Sequence, residues 1–386
     1  MPNSDFFQFW NENFLKRSSS AAQTKYEITC ETKDFERYFQ SLYNGYYLSF
    51  HSKKLVRELF PFRKDINYCK CNAVTLGEIV SMEKSIRTGR AYFGGIVHCA
   101  NPFLCPVCAP RIMARRSSEI GQAVHAWNAE NPEHTCFLLT LTFQHSFSDS
   151  LDMNLKKFKN AREMFWGHRQ VKKMFFSCGR AGRITAFEVT CSQVNGWHPH
   201  VHILIFGNKA VFDEKLLSAV WLNVLKKCGL SGKEGPALNL IEARSCKNYL
   251  QKISAEMALS NCKQGRGAKS FSPFQLLAEY ADGAEWAGRR FQELFKVSNE
   301  MHLHVLQWSK GLKARFHIGE VSDSDIVENN TGEKTFDWCS FGSFLFRLAT
   351  WQEKYLLRKF ATENNYSGFL DLIRDISIRA GCCHDG

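Results

Sequence analysis

Three histidines, His198, His200 and His202, occupy alternate positions in NGWHPHVHILIFG, residues 195–207. Imidazole is a common metal ligand, and two rings can share an ion only if they leave the backbone on one side. In a β-strand alternate side chains share a face, about 7 Å apart, so His200 and His202 can turn toward one ion. His198 stands in line with them, although Pro199 and the preceding turn divert it. Leu204 and Phe206 continue the histidine face, and Val201, Ile203 and Ile205 form the other. Glu188 lies in ITAFEVT, residues 184–190, which the Asn195-Gly196 turn joins to the histidine segment as a hairpin. A carboxylate on the partner strand adds an oxygen ligand. That set suits Mg2+ or Mn2+, with zinc also open, and leaves positions for a phosphate oxygen. A second pair, His302 and His304, lacks an acidic partner in the sequence pattern and reads as structural.

A second candidate group lies in RSCKNYLQKISAEMALS, residues 244–260. Cys246, Leu250, Ile253 and Met257 make an apolar stripe at helical spacing, and Ser245, Tyr249, Lys252 and Glu256 follow the same spacing one residue on. One face of the expected helix therefore carries a phenol, an ammonium and a carboxylate. A tyrosine hydroxyl can act as a covalent nucleophile, and a lysine one turn away can offset phosphate charge or help remove the phenol proton.

A third group is made of cysteines. Cys69 and Cys71 form C-x-C, and Cys99, Cys105 and Cys108 form C-x5-C-x2-C. Thiolates so spaced hold structural zinc in a tetrahedral site. Five candidates compete for four places, and Cys71, Cys99, Cys105 and Cys108 are favoured, with Cys69 next. Arg111, Arg115 and Arg116 follow on a basic helix and are candidate phosphate contacts. Residues 156–173 and 262–270 add further basic stretches.

These groups need a scaffold. The chain has 386 residues, 44% hydrophobic and 23% charged, which is a globular composition large enough for one big domain with appendages or for two domains. Residues 136–143, 184–190, 200–206 and a short segment near 237–243 read as strands. Residues 151–168, 212–228, 245–259 and 274–297 read as helices, and 301–308 and 312–318 as further strands. The order fits an α+β fold, a central antiparallel sheet flanked by helices, with a Cys-rich zinc segment before it and a helical tail over 341–380. The domain boundaries read as an extension over 1–60, a Cys-rich DNA-binding segment over 61–125, a catalytic domain over 130–320 and a helical region over 321–386. The formal net charge of +12 favours a polyanionic partner. No apolar run of about 18 residues and no export signal is seen, so no membrane association is expected. The 15 cysteines then read as reduced cytoplasmic thiols.

In order along the chain, these segments resemble the rolling-circle replication initiators of plasmids, within the HUH endonuclease superfamily of palm or ferredoxin-like fold. FLLTLTFQH (137–145) resembles the first family motif, GWHPHVHILI (196–205) the second and NYLQK (248–252) the third. SPFQLL (272–277), WSKGLK (308–313) and CANPFLCPVCAPRI (99–112) resemble accompanying stretches. The resemblance implies that a divalent ion at His200 and His202 polarises a phosphate of the plasmid origin. Tyr249 attacks it, and a 5′-phosphotyrosine and a free 3′-OH result. It implies origin DNA, double-stranded for binding and single-stranded for cleavage, and a host helicase and DNA polymerase as partners. The acidic residue that some relatives carry one turn before the tyrosine is here Ser245; Glu242 or Glu256 are candidates to replace it. Two rivals stay open, an HUH transposase of single-stranded DNA and a non-catalytic zinc-containing DNA-binding regulator. Oligomeric state is not legible.

Overall fold

The computed structural model describes residues 59, 70–86, 89, 91–105, 108–131, 135–177, 182–207, 212–243, 270–281, 283–328 and 335–381. By contact the chain divides into Met1–Gln40 and Ser41–Gly386, and every described residue belongs to the second unit.

The strands are β1 (Ile79–Ser85), β2 (Ala91–Gly94), β3 (Thr135–Leu141), β4 (Gly182–Ser192), β5 (Gly196–Gly207), β6 (Leu238–Ala243), β7 (Leu306–Trp308) and β8 (Thr335–Gly342). The helices are α1 (Cys108–Glu130), α2 (Leu151–Gly167), α3 (Arg169–Ser177), α4 (Glu214–Lys227), α5 (Pro273–Ala281), α6 (Glu285–Glu300), α7 (Leu312–Arg315), α8 (Asp323–Glu328), α9 (Ser343–Leu348), α10 (Trp351–Thr362) and α11 (Tyr366–Arg379). Five strands form one sheet in the order β6-β3-β5-β4-β7, with every neighbouring pair antiparallel. From β3 to β6 the chain runs β-α-β-β-α-β, the split βαβ arrangement of the ferredoxin-like fold, with α3 extending the first crossover. The expected α+β class and antiparallel sheet are what the structure contains.

The central strand β5 is flanked on both edges and covered at its far end on both faces, which is why its sequence reads as an almost continuous apolar run there. Val201, Ile203 and Ile205 join the main core beneath α2, α4 and α6, whereas Leu204 and Phe206 join a second cluster beneath α1 and residues 312–318. Helix α2 starts at Ser150, whose hydroxyl accepts from the Met153 amide, and buries Leu151, Leu155, Phe158, Ala161 and Phe165 at helical spacing. Trp197, Trp221, Phe137, Phe158 and Phe165 are among the largest fully buried side chains, each contributing about 1.5–3 kcal/mol by burial.

Two features depart from the sequence pattern. Residues 312–315 form a helical turn instead of a strand. Leu312 and Phe316, about one helical turn apart, both enter the second core cluster. Ahead of the expected helical tail, β8 pairs with β1, so a segment near the C-terminus completes a three-stranded sheet, β2-β1-β8, with residues 79–94. Helices α9, α10 and α11 cover one face of it, burying Phe346, Leu357, Phe369 and Ile376. Lys84 is buried there but satisfied, donating to the carbonyls of Ala361 (3.0 Å) and Thr362 (3.2 Å) at the end of α10. Among the described residues, no helix is long and apolar enough to cross a membrane.

Candidate metal centre on the open face of the sheet

Both crossovers, α2 and α4, pack against the same face of the five-stranded sheet. The other face is covered by α1 at one end, through Ile120, Ala123, Val124 and Trp127. The remainder of this face carries Thr140, Glu188, His200 and His202. Register sets Glu188 directly opposite His200, while His202 lies between Ala186 on one side and Thr140 on the other. The Glu188 carboxylate lies 3.3 Å from His200 Nε2 and 3.5 Å from His202 Nε2. For ligands about 2.1 Å from an ion, ligand–ligand edges of roughly 3.0–3.4 Å are expected, so the three atoms fit a shared ion. The Nδ1 atoms face away from this point. His202 Nδ1 lies 2.9 Å from Thr140 Oγ1, and His200 Nδ1 makes a long contact of 3.5 Å with the His198 carbonyl. With an ion bound and Nδ1 donating, each Nε2 would turn its lone pair to the ion, whereas in the absence of an ion each Nε2 faces the Glu188 carboxylate as a hydrogen-bond donor. Burial by itself would raise the Glu188 carboxyl, but the hydrogen bonds and charge of His200 and His202 outweigh it and hold it well below the usual range.

His198 is in line with the pair but turns elsewhere. Its Nδ1 lies 2.7 Å from His145 Nε2, and its ligand atoms fall outside the close Glu188–His200–His202 group. Burial, then the charges of His200 and His145, push its pKa down to about 4. The turn ahead of it is tight. Gly196 has φ of 71°, and a Cβ there would meet the Ser146 carbonyl and Phe147 Cα at 2.9 Å, so glycine is required. Thr140 and His145 were not singled out from sequence, although both sit inside the quoted segment 137–145; a hydroxyl and an imidazole after an apolar strand were the available signal.

Glu242 is not brought to this group. It pairs with Phe137, whose side chain is in the main core, so register puts Glu242 on the crossover-helix face. Tyr249, Lys252 and Glu256 lie outside the described residues, as does Cys69. His302 and His304 are exposed and enter no metal-type cluster among the described residues.

The second cluster is closed. Cys71 Sγ lies 3.7 Å from Cys105 Sγ and 3.6 Å from Cys108 Sγ, and Cys99 Sγ lies 3.8 Å from Cys108 Sγ. A tetrahedron with Zn–S bonds of about 2.3 Å has edges of roughly 3.8 Å, so the four favoured cysteines fit that ion. Asn72, held at φ 54°, turns the chain at Cys71, and the Cys108 amide approaches Cys105 Sγ at 3.5 Å as α1 begins. Burial first, then neighbouring thiol hydrogen bonds, push Cys99 and Cys105 well above the ordinary thiol range. A divalent cation reverses that preference by binding thiolate. Phe103, between the two cysteine pairs, packs 5.8 Å from Phe187 and seats the cluster beside β4. Two arginines of α1 are spent on the fold. Arg115 and Arg116 both pair with Glu119, which is fully buried, and Arg116 also reaches Asp323 at 2.6 Å.

Residues 95–258 match the model of a family described as replication protein. That span opens just before Cys99 and contains the histidine strand, Tyr249 and Lys252. The chain is 30% identical over 137 residues to a protein named rep from Streptomyces lividans, covering 29% of this chain and 30% of that one. It is 28% identical over 140 residues to a rep protein of Streptococcus pneumoniae, covering 36% of this chain and 40% of that one. A rep protein of Staphylococcus aureus is 29% identical over 119 residues, covering 30% of this chain and 48% of its own length. The chain thus spans less than half the length of each of these relatives. No solved structure matches. Over its central region, residues 95–258, the chain is thus similar to the replication-protein family and to these rep proteins.

Proposed function

We propose that this chain is a rolling-circle plasmid replication initiator, which recognises its origin and nicks and rejoins one DNA strand there. The observation that carries the reading is the Glu188–His200–His202 group on the open sheet face, within a span that matches the replication-protein family. These three residues would hold a divalent ion, Mg2+ or Mn2+, which when bound draws charge from a phosphate oxygen. Tyr249 is the nucleophile of this reading. Its oxygen forms the bond to phosphorus, the P–O3′ bond breaks, and the departing 3′ oxygen takes up a proton. The 5′ end stays on the tyrosine and the free 3′-OH primes synthesis by a host polymerase, with a helicase opening the duplex. Lys252, one helical turn from Tyr249 by spacing, offsets negative charge as the phenol loses its proton. For a second activation at termination, Glu256 remains the candidate, because Glu242 pairs on the opposite sheet face. The cysteine cluster holds zinc and steadies the module over 61–125 that meets double-stranded origin DNA. Exposed cations on α2 and α3, Lys156, Lys159, Arg169, Lys172 and Lys173, offer phosphate contacts to it. On this reading the protein acts in the cytoplasm.

The test is a single-stranded origin oligonucleotide incubated with purified protein and Mn2+. A covalent adduct should form, protease digestion should leave the DNA on the peptide holding Tyr249, and Tyr249→Phe should abolish it. Specific binding to origin DNA without any nick or adduct would replace this reading with that of a non-catalytic regulator.

A further inference from the structure

His145 has no part in the reaction above, yet its ring is held at both nitrogens. Nδ1 lies 2.8 Å from the Asn195 carbonyl, which can only accept, so Nδ1 carries the hydrogen. In the neutral ring Nε2 is then an acceptor, and it stands 2.7 Å from His198 Nδ1. His198 must therefore donate through Nδ1, which leaves its lone pair on Nε2. The loop that presents His145 is fixed at several points. Arg290 donates to the Phe147 carbonyl at 3.1 Å and is paired with Glu293 at 2.9 Å. Glu293 also accepts from the Trp197 indole at 2.8 Å and from the Leu151 amide at 2.9 Å. The β4–β5 turn, the His145 loop and the start of α2 are thus joined to one carboxylate on α6.

We infer that His145 is a positioning residue that locks His198 in its Nδ1–H tautomer, leaving His198 Nε2 as a neutral acceptor beside His200. The two rings are 5.0 Å apart between centroids, so this acceptor adjoins the Glu188–His200–His202 group without entering it. It suits a water or hydroxyl that enters the site and donates a hydrogen bond. The inference rests on the proposed function only for its effect on cleavage; the tautomer itself does not depend on it.

The experiment uses the full chain as purified, with the cysteine cluster undisturbed and no divalent ion added for the histidine group, 15N-labelled at histidine and read by long-range 1H–15N correlation, the His198 signal being identified by its loss in His198→Asn. His198 should carry its hydrogen on Nδ1. His145→Leu removes the acceptor, and the signal should move toward the Nε2–H form. In His145→Gln the side-chain oxygen can accept from His198 and should restore the Nδ1–H form. With Mn2+ and a single-stranded origin oligonucleotide, His145→Leu should cleave about ten- to a hundredfold more slowly, the usual scale for groups that orient a site, and His145→Gln should recover most of it. His198 found with its hydrogen on Nε2 in the native chain, or unaltered in His145→Leu, overturns the inference. If the tautomers behave as stated while the native chain makes no nick, the positioning role stands and the proposed function falls.

Discussion

The cysteine cluster and the histidine–carboxylate group are two metal-type sites built on opposite principles. The first is closed. Cys71, Cys105 and Cys108 have no exposure, and the four thiol sulfurs stand at the spacing of a tetrahedral zinc site. The second is open. His200 and His202 keep 12% and 16% of their side-chain surface exposed, and an ion held by these three side chains would have further coordination positions for another molecule. A site that satisfies its ion with protein atoms gives its binding energy to the fold, and one that leaves positions unfilled gives it to a substrate.

That contrast can be broken most sharply at the open group. His200→Ala combined with His202→Ala should cut cleavage of a single-stranded origin oligonucleotide by on the order of 10³-fold, since an ion's charge stabilisation is worth several kcal/mol. Thermal unfolding and zinc content should not move. An equal loss of stability would mean that the open group is a second structural site.

Next in size is the closed cluster. Cys105→Ser should lower stability by about 3 kcal/mol or more, as for loss of a structural metal, and remove about one zinc per chain by elemental analysis. A variant with native unfolding and no zinc in the parent protein would sink the closed-site reading.

A chelator sharpens the difference without mutation. Brief EDTA treatment should stop cleavage while zinc stays bound, and added Mn2+ should restore activity. Simultaneous loss of zinc and activity would show the two centres to be equally accessible.

The smallest effect lies outside both centres and gives a baseline. Glu353 caps α10 through Thr350 and pairs with Arg379 of α11 at 2.6 Å. Its carboxyl is lowered to about 2, first by the Arg379 hydrogen bond. The folded value lies below the unfolded one, so the contribution is full above about pH 4.5 and is lost as pH falls toward 2. Solvent screening limits it to about 1 kcal/mol. Glu353→Gln should therefore unfold slightly earlier than the native protein at pH 7, and the gap should narrow below about pH 4.5 and close only as pH falls to about 2.

The sequence by itself determined much of this. Alternation in β5 assigned Val201, Ile203 and Ile205 to one core and Leu204 and Phe206 to another, because side-chain direction in a strand follows from local geometry. The Asn195-Gly196 turn signal identified the hairpin partner that carries Glu188, but the register that sets Glu188 opposite His200 came with the fold, where Ser192 pairs with Gly196. The cysteine set was legible because thiols at knuckle spacing have few other uses in a chain of this kind. Tertiary structure decided what depends on distant segments. Whether His198 joins the ion or a neighbour depended on His145, 53 residues away. Which face Glu242 shows was settled by its pairing with Phe137, and local alternation cannot reveal that register. Arg115 and Arg116 read as DNA contacts until a buried Glu119 claimed them. Strand β8, polar and largely exposed, carries too weak a pattern to be seen without β1 beside it. Local spacing sets which way a side chain points, and only the packed fold sets what it meets there.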